Sequence, residues 1–206
     1  MLHALQMPLP HLMNHLKDNF YYYPNACGTK FCNDVVRFSR TIKKKKALTG
    51  NGVTPSYNIR KSKVAWLSEK WVYNHLLKFI HDANRPDRFN FNLSGAEAIQ
   101  YTRYSGQDNN KDHYDWHQDS SRSSSKKIRK LSLICNLTDP NDFEGGDLFL
   151  NFPKPNPNFT EQHQLHFMKK QGAIVIFPSF LWHKVAPVTK GIRHSLVCWM
   201  NGEYFK

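Results

Sequence analysis

The sequence has only four cysteines in 206 residues, Cys27, Cys32, Cys135 and Cys198, and no CxxC pair among them. A zinc ribbon or a thioredoxin-type site is therefore not indicated. The number and spacing also do not suggest the disulfide framework of a small secreted domain, although Cys27 and Cys32 could pair. Cys135 and Cys198 sit inside apolar, strand-like runs and read as buried thiols. No apolar run approaches the length of a membrane span. The first twenty residues lack a basic region followed by a long apolar stretch, which makes them a poor signal peptide. The expectation is a cytoplasmic protein that makes no use of a membrane. Acidic residues are scarce too: 16 Asp and Glu stand against 29 Lys and Arg, a formal net charge of +13. A basic surface without a specific partner accounts for this, and so does an acidic partner such as nucleic acid or an acidic protein. The basic residues are mostly scattered, and they cluster only at Lys43 to Lys46 and from Arg122 to Lys130.

What is present is enough apolar and aromatic residue, 40% and 14%, for one domain with a proper core. Residues 1–18 read as a loosely helical lead-in and 19–23 as a strand closed by Pro24. A helix is expected from about Gly28 to Ile42, with Phe31, Val35, Val36 and Phe38 along its apolar side. Residues 43–60 read as an exposed loop and Val64 to Leu67 as a short strand. Glu69 to Asn84 is the clearest helix: Trp71, Val72, Leu76, Phe79 and Ile80 share a face, and Ser68 can cap it. After residue 88 short apolar runs recur between Gly, Pro, Asn and Ser. Eight strands are expected, near 96–104, 112–119, 128–138, 146–152, 164–168, 173–177, 182–188 and 192–201. That spacing indicates a sandwich or barrel. The layout is a single domain over 1–206, with a helical support region to about residue 88 and a β core from about 89. Gly145-Gly146 predicts a tight turn at positive φ.

His117-Gln118-Asp119 falls in one of these strands, where residues two apart point the same way. Two imidazoles and one carboxylate form the facial triad of non-haem iron(II) sites, which leaves three coordination positions open. The second imidazole must come from elsewhere, and His183 in Leu181-Trp182-His183-Lys184 is well placed. An HxD alone is weak, since this composition yields about half an occurrence by chance. A second one, His113-Tyr114-Asp115, lies four residues upstream, and spacing does not choose between them. Two His and one Asp also suit zinc. Arg193, ten residues after His183, offers a planar fork for a carboxylate, and Ser195 shares its strand face. Pro187 and Lys190-Gly191 suggest a hairpin that would set His183 and Arg193 on neighbouring strands. Taken alone, Arg193 reads as a surface ion-pair residue; combined with the His/Asp set it reads as the carboxylate holder.

The ordered set Tyr104, Tyr114-x-x-His117-x-Asp119, Arg129-Lys130-Leu131-Ser132, Asp139-Pro140, Glu144-Gly145-Gly146-Asp147-Leu148, Phe177-Pro178-Ser179, His183, Pro187 to Gly191, Arg193-x-Ser195 and Trp199 resembles the prolyl 4-hydroxylase-like branch of the 2-oxoglutarate- and iron(II)-dependent dioxygenases, in particular the PKHD-type hydroxylases. The likeness covers about residues 95–202. It implies a mainly β fold, a double-stranded β-helix or jelly roll, with supporting N-terminal helices. It implies Fe(II) on His117, Asp119 and His183, because the family sets a Tyr three residues before the ligand His; Tyr114 fits, whereas Asn110 precedes His113. It implies 2-oxoglutarate as cosubstrate, its distal carboxylate on Arg193 and Ser195, with Tyr104 facing the cosubstrate or substrate and Asn136 where relatives hydrogen-bond the carboxylate. Many relatives have an aromatic residue in place of Asn136. L-Ascorbate is an optional further cofactor.

The implied reaction hydroxylates a substrate with release of succinate and CO2. A prolyl residue of a protein or peptide is the family-level expectation; a small molecule is the other. Trp116, Trp182 and Trp199 read as barrel packing. The segments Ser120 to Lys127 and Asn151 to Thr160 are expected to flank the mouth. Two rival readings stay open. One is an AlkB-like nucleic-acid demethylase, favoured by the charge but lacking a second Arg six residues after Arg193, where Trp199 stands. The other is a cupin-like protein that only binds a metal or ligand.

Overall fold

The computed structural model describes residues 5–6, 19–47, 59–107, 111–119, 127–151 and 163–205, with residues 5, 6 and 163 described by backbone alone. The chain begins with β1 (Leu5–Gln6), β2 (Tyr21–Tyr23), α1 (Thr29–Ser39), β3 (Lys45–Lys46), β4 (Arg60–Lys61), β5 (Lys63–Leu67) and α2 (Lys70–Ala83). It continues with β6 (Gly95–Ala96), β7 (Ile99–Ser105), β8 (His113–His117), β9 (Lys127–Asn136), β10 (Phe143–Gly145) and β11 (Leu148–Asn151). The last strands are β12 (His163–Gln164), β13 (Ile174–Pro178), β14 (Trp182–Val185) and β15 (Val188–Glu203). All pairings are antiparallel. The larger sheet runs β1-β2-β13-β9-β15-β7-β5-β3, with β6 and β10 also on β15, and the smaller runs β12-β11-β14-β8-β4.

Period-two patterning on the long strands divides the interior into two compartments. Leu131, Leu133 and Cys135 of β9, Leu196, Cys198 and Met200 of β15, and Ile174 and Ile176 of β13 pack toward the helices, where they meet Val35, Val72, Leu76, Phe79 and Ile80. The alternate residues point between the sheets. Ile134, Val175 and Phe177 there meet Leu148, Leu150 and Val185 of the smaller sheet. The two sheets and the helices on the outer face of one of them make the expected jelly roll with N-terminal helical support.

Several local expectations give way. Leu5–Gln6 is a strand paired with Tyr21 and Tyr22 rather than part of a helix. The first helix ends at Ser39, with Arg40 as its C-cap, so it stops short of Ile42. Ser68 does not cap α2: the N-cap position is Glu69, whose carboxylate accepts the Ser68 backbone N–H at 2.9 Å. The 164–168 strand shrinks to two residues and turns into a 3₁₀ helix, His166–Lys169, which feeds the turn at Gly172 (φ +77°). Residues 43–60 contribute β3 and Arg60, the first residue of β4, while 48–58 lie outside the described residues. So do 120–126 and 152–160, which carry nearly all of the two segments expected at the mouth. All four cysteines are free and buried, so Cys27 and Cys32 do not pair with each other. Gly145 and Gly146 take φ of +72° and +64°, as their tight turn requires.

The predicted hairpin between His183 and Arg193 does not form. β14 pairs with β8 and β11 of the smaller sheet, whereas β15 lies between β9 and β7 of the larger one. Ala186 and Pro187 carry the chain across, and the two side chains approach the interior from opposite walls. Among the described residues, no helix is long and apolar enough to cross a membrane.

Candidate metal and carboxylate site

A cavity of about 260 Å³ opens between the sheets. His117, Asp119 and His183 meet in its wall, with one potential ligand atom from each lying within 4.8 Å of the others. His183 Nε2 is 3.2 Å from Asp119 Oδ2, and His117 Nε2 is 4.0 Å from Asp119 Oδ1. Ligand atoms about 2.1 Å from an ion and at right angles stand about 3 Å apart, so the cluster closes on an ion when its longer separations shorten by about 1 to 2 Å. Both histidines are oriented alike. His117 Nδ1 is 2.7 Å from the Asp115 carbonyl and His183 Nδ1 is 2.9 Å from the Leu181 carbonyl. A carbonyl only accepts, so each Nδ1 carries the proton and each Nε2 offers its lone pair to the cluster.

Asp119 is fixed from behind. Its Oδ2 accepts the Ser132 hydroxyl at 2.8 Å, and Ser132 in turn lies 2.9 Å from the Ser179 hydroxyl. Burial alone would raise the Asp119 carboxyl, but the neighbouring His183 and then His117 outweigh it and hold the group well below the usual carboxylate range. Burial, followed by His183, lowers His117 well below its ordinary value. At neutral pH the cluster is therefore a carboxylate beside a neutral His117 imidazole.

A β-bulge separates this histidine from its upstream double. Val185 pairs with Tyr114 and His183 with His117, so two steps on β14 face three on β8. The extra residue turns Tyr114 and His117 to the same side, where their rings stack with centroids 3.4 Å apart. His113 and Asp115 are thereby left outside the cavity lining, and Asp115 is exposed.

Arg193 is the largest of the fully buried side chains, at 1% exposure, and it lines the same cavity. Its guanidinium sits 5.7 Å from the Tyr104 ring centroid, and its Nη1 has no hydrogen-bond partner among the described residues. Burial lowers its pKa from the usual arginine value. A desolvated cation with an unmatched donor is costly in a folded chain and points to an anion that completes it. Ser195, one inward step along β15, and Tyr104, the partner of Arg193 on β7, share the lining.

Asn136 does not belong to the cavity lining. It follows Ser132 and Ile134 on the inward side of β9 but lies past the cavity's end, where its Nδ2 donates to the carbonyls of Thr138 at 2.8 Å and Lys169 at 2.7 Å. The expected place for a carboxylate contact is thus a clamp on the 3₁₀ turn. Trp199 departs from expectation in the other direction: it lines the cavity instead of packing away from it. Arg60, Trp66, Gln100 and Arg129 also line it, and sequence reasoning missed all four. Arg60 stands 4.3 Å from the Tyr114 ring centroid on the far side of the Tyr114–His117 stack. Arg129 lies 3.9 Å from the Trp199 ring centroid and is held by a two-pronged ion pair with Glu97, at 2.8 and 2.6 Å.

A sequence model described as the 2OG-Fe(II) oxygenase superfamily matches residues 99–201. The chain belongs to that superfamily. Within this superfamily it is 38% identical over 88 residues to a PKHD-type hydroxylase of Synechococcus sp. (strain CC9311), a match taking in 43% of this chain and 36% of that protein. It is 35% identical over 106 residues to a PKHD-type hydroxylase of Nitrosomonas europaea, covering 48% of this chain and 40% of the relative. The matches thus span well under half the length of these curated relatives. Among solved structures the oxygenase fold aligns with a Pseudomonas putida prolyl-4-hydroxylase at TM-score 0.67 and 16% identity, over 90% of this chain and 94% of that one. It also aligns at TM-score 0.67 and 18% identity with a Trichoplax adhaerens prolyl hydroxylase solved with a hypoxia-inducible-factor peptide fragment, over 89% and 84% of the two chains. These likenesses establish the jelly-roll fold. The residues present fit the two groups in the superfamily's name: two imidazoles and a carboxylate suit Fe(II), and an orphaned guanidinium N–H suits a dicarboxylate.

Proposed function

We propose that this protein is a 2-oxoglutarate- and Fe(II)-dependent hydroxylase, and that its substrate is a prolyl residue of a protein or peptide. The observation that carries the reading is the joint presence, in one cavity, of the His117-Asp119-His183 cluster and the unmatched Nη1 of buried Arg193. The cluster alone would suit zinc equally well, but a zinc site gives Arg193 nothing to bind.

The chain's own contribution is binding, orientation and exclusion of water. His117 and His183 present Nε2 to the metal because backbone carbonyls hold their Nδ1 protons. Ser132 and Ser179 keep the Asp119 carboxylate turned inward. Arg193 and Ser195, with Tyr104 in the same lining, would hold the distal carboxylate of 2-oxoglutarate. Ile134, Val185 and Val197 give the cavity dry walls, which strengthens the guanidinium–carboxylate pairing. Iron and 2-oxoglutarate, when bound, supply the activation of dioxygen that ends in substrate hydroxylation, succinate and CO2. Trp66 is half exposed and lies 6.1 Å from Trp199 between ring centroids. The two rings form an apolar lip suited to a pyrrolidine ring, and the Arg129–Glu97 pair behind Trp199 offers polar contacts to a peptide backbone.

The test supplies Fe(II), 2-oxoglutarate, dioxygen and proline-containing peptides, and reads succinate together with the gain of one oxygen atom on the peptide. Peptide-dependent succinate with oxidised proline is the expected result. Binding of metal and 2-oxoglutarate without succinate from any peptide or small molecule would turn the assignment toward a non-catalytic binding protein.

A further inference from the structure

Two concavities lie around the edge strands β3 and β4 of the two sheets, outside the cavity described above. One, of about 730 Å³, is lined by Lys46, Lys61, Ser62, Lys63, Lys111, Asp112, His113 and Pro187. The other, of about 510 Å³, is lined by Lys44, Lys46, Lys63 and Arg103. They share Lys46 and Lys63 and so adjoin, and the two together are termed the groove. Among the described residues its lining holds a single carboxylate, Asp112, which is 3% exposed and accepts the Ser105 backbone N–H at 3.0 Å. Among the described residues, no carboxylate lies within ion-pair distance of Lys44, Lys63 or Arg103. The crowding bears on Lys44, whose pKa is lowered by burial and then by Arg103, Arg40 and Lys63.

Lysines on a short edge strand commonly guard against unwanted strand pairing. That accounts for Lys45 and Lys46 of β3. It does not account for Lys63 and Arg103, which face each other on β5 and β7 behind that edge. The groove also adjoins the cavity. Arg60 and Tyr114 pair across β4 and β8 and line the cavity, and the next pair along, Lys61 and His113, lines the groove. On β5, Lys63 stands three residues, about 10 Å, from Trp66 at the cavity mouth.

We infer that this groove binds an acidic stretch of the substrate polypeptide, a few residues from the residue that enters the cavity. The inference rests on the hydroxylase reading and adds the substrate's charge to it. The occupant is argued from charge complementarity and from the lining. Proteins that hold single-stranded nucleic acid interleave basic groups with exposed aromatic rings for base stacking. Among the described residues the only aromatic ring in the groove lining is the His113 imidazole, and the cations are mainly lysine ammonium groups, compact charges that suit carboxylates without demanding a planar partner. The groove is also longer than a single small anion needs.

The test measures fluorescence anisotropy with the full chain and three labelled probes at low salt: a proline-containing peptide flanked by six Glu, the same peptide flanked by six Gln, and an oligothymidylate of equal charge. The expected result is at least tenfold tighter binding of the Glu peptide than of either other probe. That preference should fall steeply as salt is raised, since exposed charges are screened over about 10 Å at 0.1 M. Lys46→Glu with Lys63→Glu, both at exposed positions, should abolish it. Lys111→Glu gives a second reading should the double variant misfold, and Lys63→Arg should retain binding. Equal binding of Glu and Gln peptides, tighter binding of the oligonucleotide, or indifference to the charge reversals would overturn the proposal. The two readings fail separately. Glu-specific binding without succinate formation leaves the groove and removes the hydroxylase, whereas equal turnover of Glu- and Gln-flanked peptides without a binding difference does the reverse.

Discussion

Replacing Arg193 by methionine separates a structural role for this residue from a binding role. Arg193 is 1% exposed and carries an unmatched Nη1, so in the ligand-free chain it is a desolvated cation with incomplete hydrogen bonding. An apolar side chain of similar length removes that penalty, and such replacements are commonly neutral or stabilising. The Arg193→Met protein should therefore melt at or above the wild-type temperature without ligand. With 2-oxoglutarate the order reverses. Losing one partner of a buried charge-assisted pair costs about 2–5 kcal/mol, or roughly 30- to 4,000-fold in affinity. Wild-type chain at a hundredfold excess over Kd gains about 2.7 kcal/mol, which for a domain of this size is roughly 5 to 11 °C. The variant should show no such rise at the same concentration. Calorimetric titration of 2-oxoglutarate into Mn(II)-loaded protein, with thermal melts in parallel, reads both quantities. Arg193→Met protein that binds 2-oxoglutarate within threefold of wild type would refute the reasoning. So would a ligand-free variant destabilised by several kcal/mol, which would make Arg193 a structural residue.

Three other substitutions probe different links. Asp119→Ala should lose metal binding and 2-oxoglutarate turnover, while Asp115→Ala, on the outward side of the bulge, should keep both; metal stoichiometry and succinate formation report the contrast, and the opposite pattern reverses the ligand assignment. Gly146→Ala should raise the 2-oxoglutarate Kd, because a Cβ there would meet Arg193 Cδ at 3.0 Å and must also take φ of +64°. Calorimetry shows this, and unchanged affinity in a folded variant argues against it. His194 is the pH probe. Burial and then Arg103 lower its pKa from 6.5 to about 4, so between those values the unfolded chain takes up a proton that the folded chain refuses. Stability present above pH 6.5 is then lost as pH falls toward 4, by roughly 3 kcal/mol. Urea midpoints across that range should fall less steeply in His194→Gln, and an identical slope contradicts the assignment.

The parts of the molecule legible in the sequence are those governed by local period. The apolar runs around Leu131 to Asn136 and Arg193 to Met200 predicted the strands, and their alternation agrees with the faces they bury. The helices at 29–39 and 70–83 followed from their apolar stripes. The His117-Asp119 pair and Arg193 stood out through the ordered set of motifs around them, since each is weak evidence alone. What stayed hidden depends on pairing between distant segments. The bulge opposite Val185, which turns Tyr114 and His117 inward together, exists only in the register of β8 against β14. The passage of the chain from one sheet to the other at Ala186-Pro187 has no signature distinct from a hairpin. Arg60 sat in a polar, basic stretch, and nothing short of its pairing with Tyr114 brings it to the cavity. Asn136 shows the converse: it has the alternation of an inward residue but stands one step beyond the cavity, where backbone carbonyls take up its amide.

The central claim is that a metal ion and a dicarboxylate share one cavity, the ion on His117, Asp119 and His183 and the far carboxylate on Arg193. A crystal structure of the chain grown with Mn(II) and 2-oxoglutarate in the absence of dioxygen tests this most directly. The account predicts one ion bound through both Nε2 atoms and the Asp119 carboxylate, with the distal carboxylate against Arg193 Nη1. An ion on His113 or Asp115, or a 2-oxoglutarate bound away from Arg193, would contradict it.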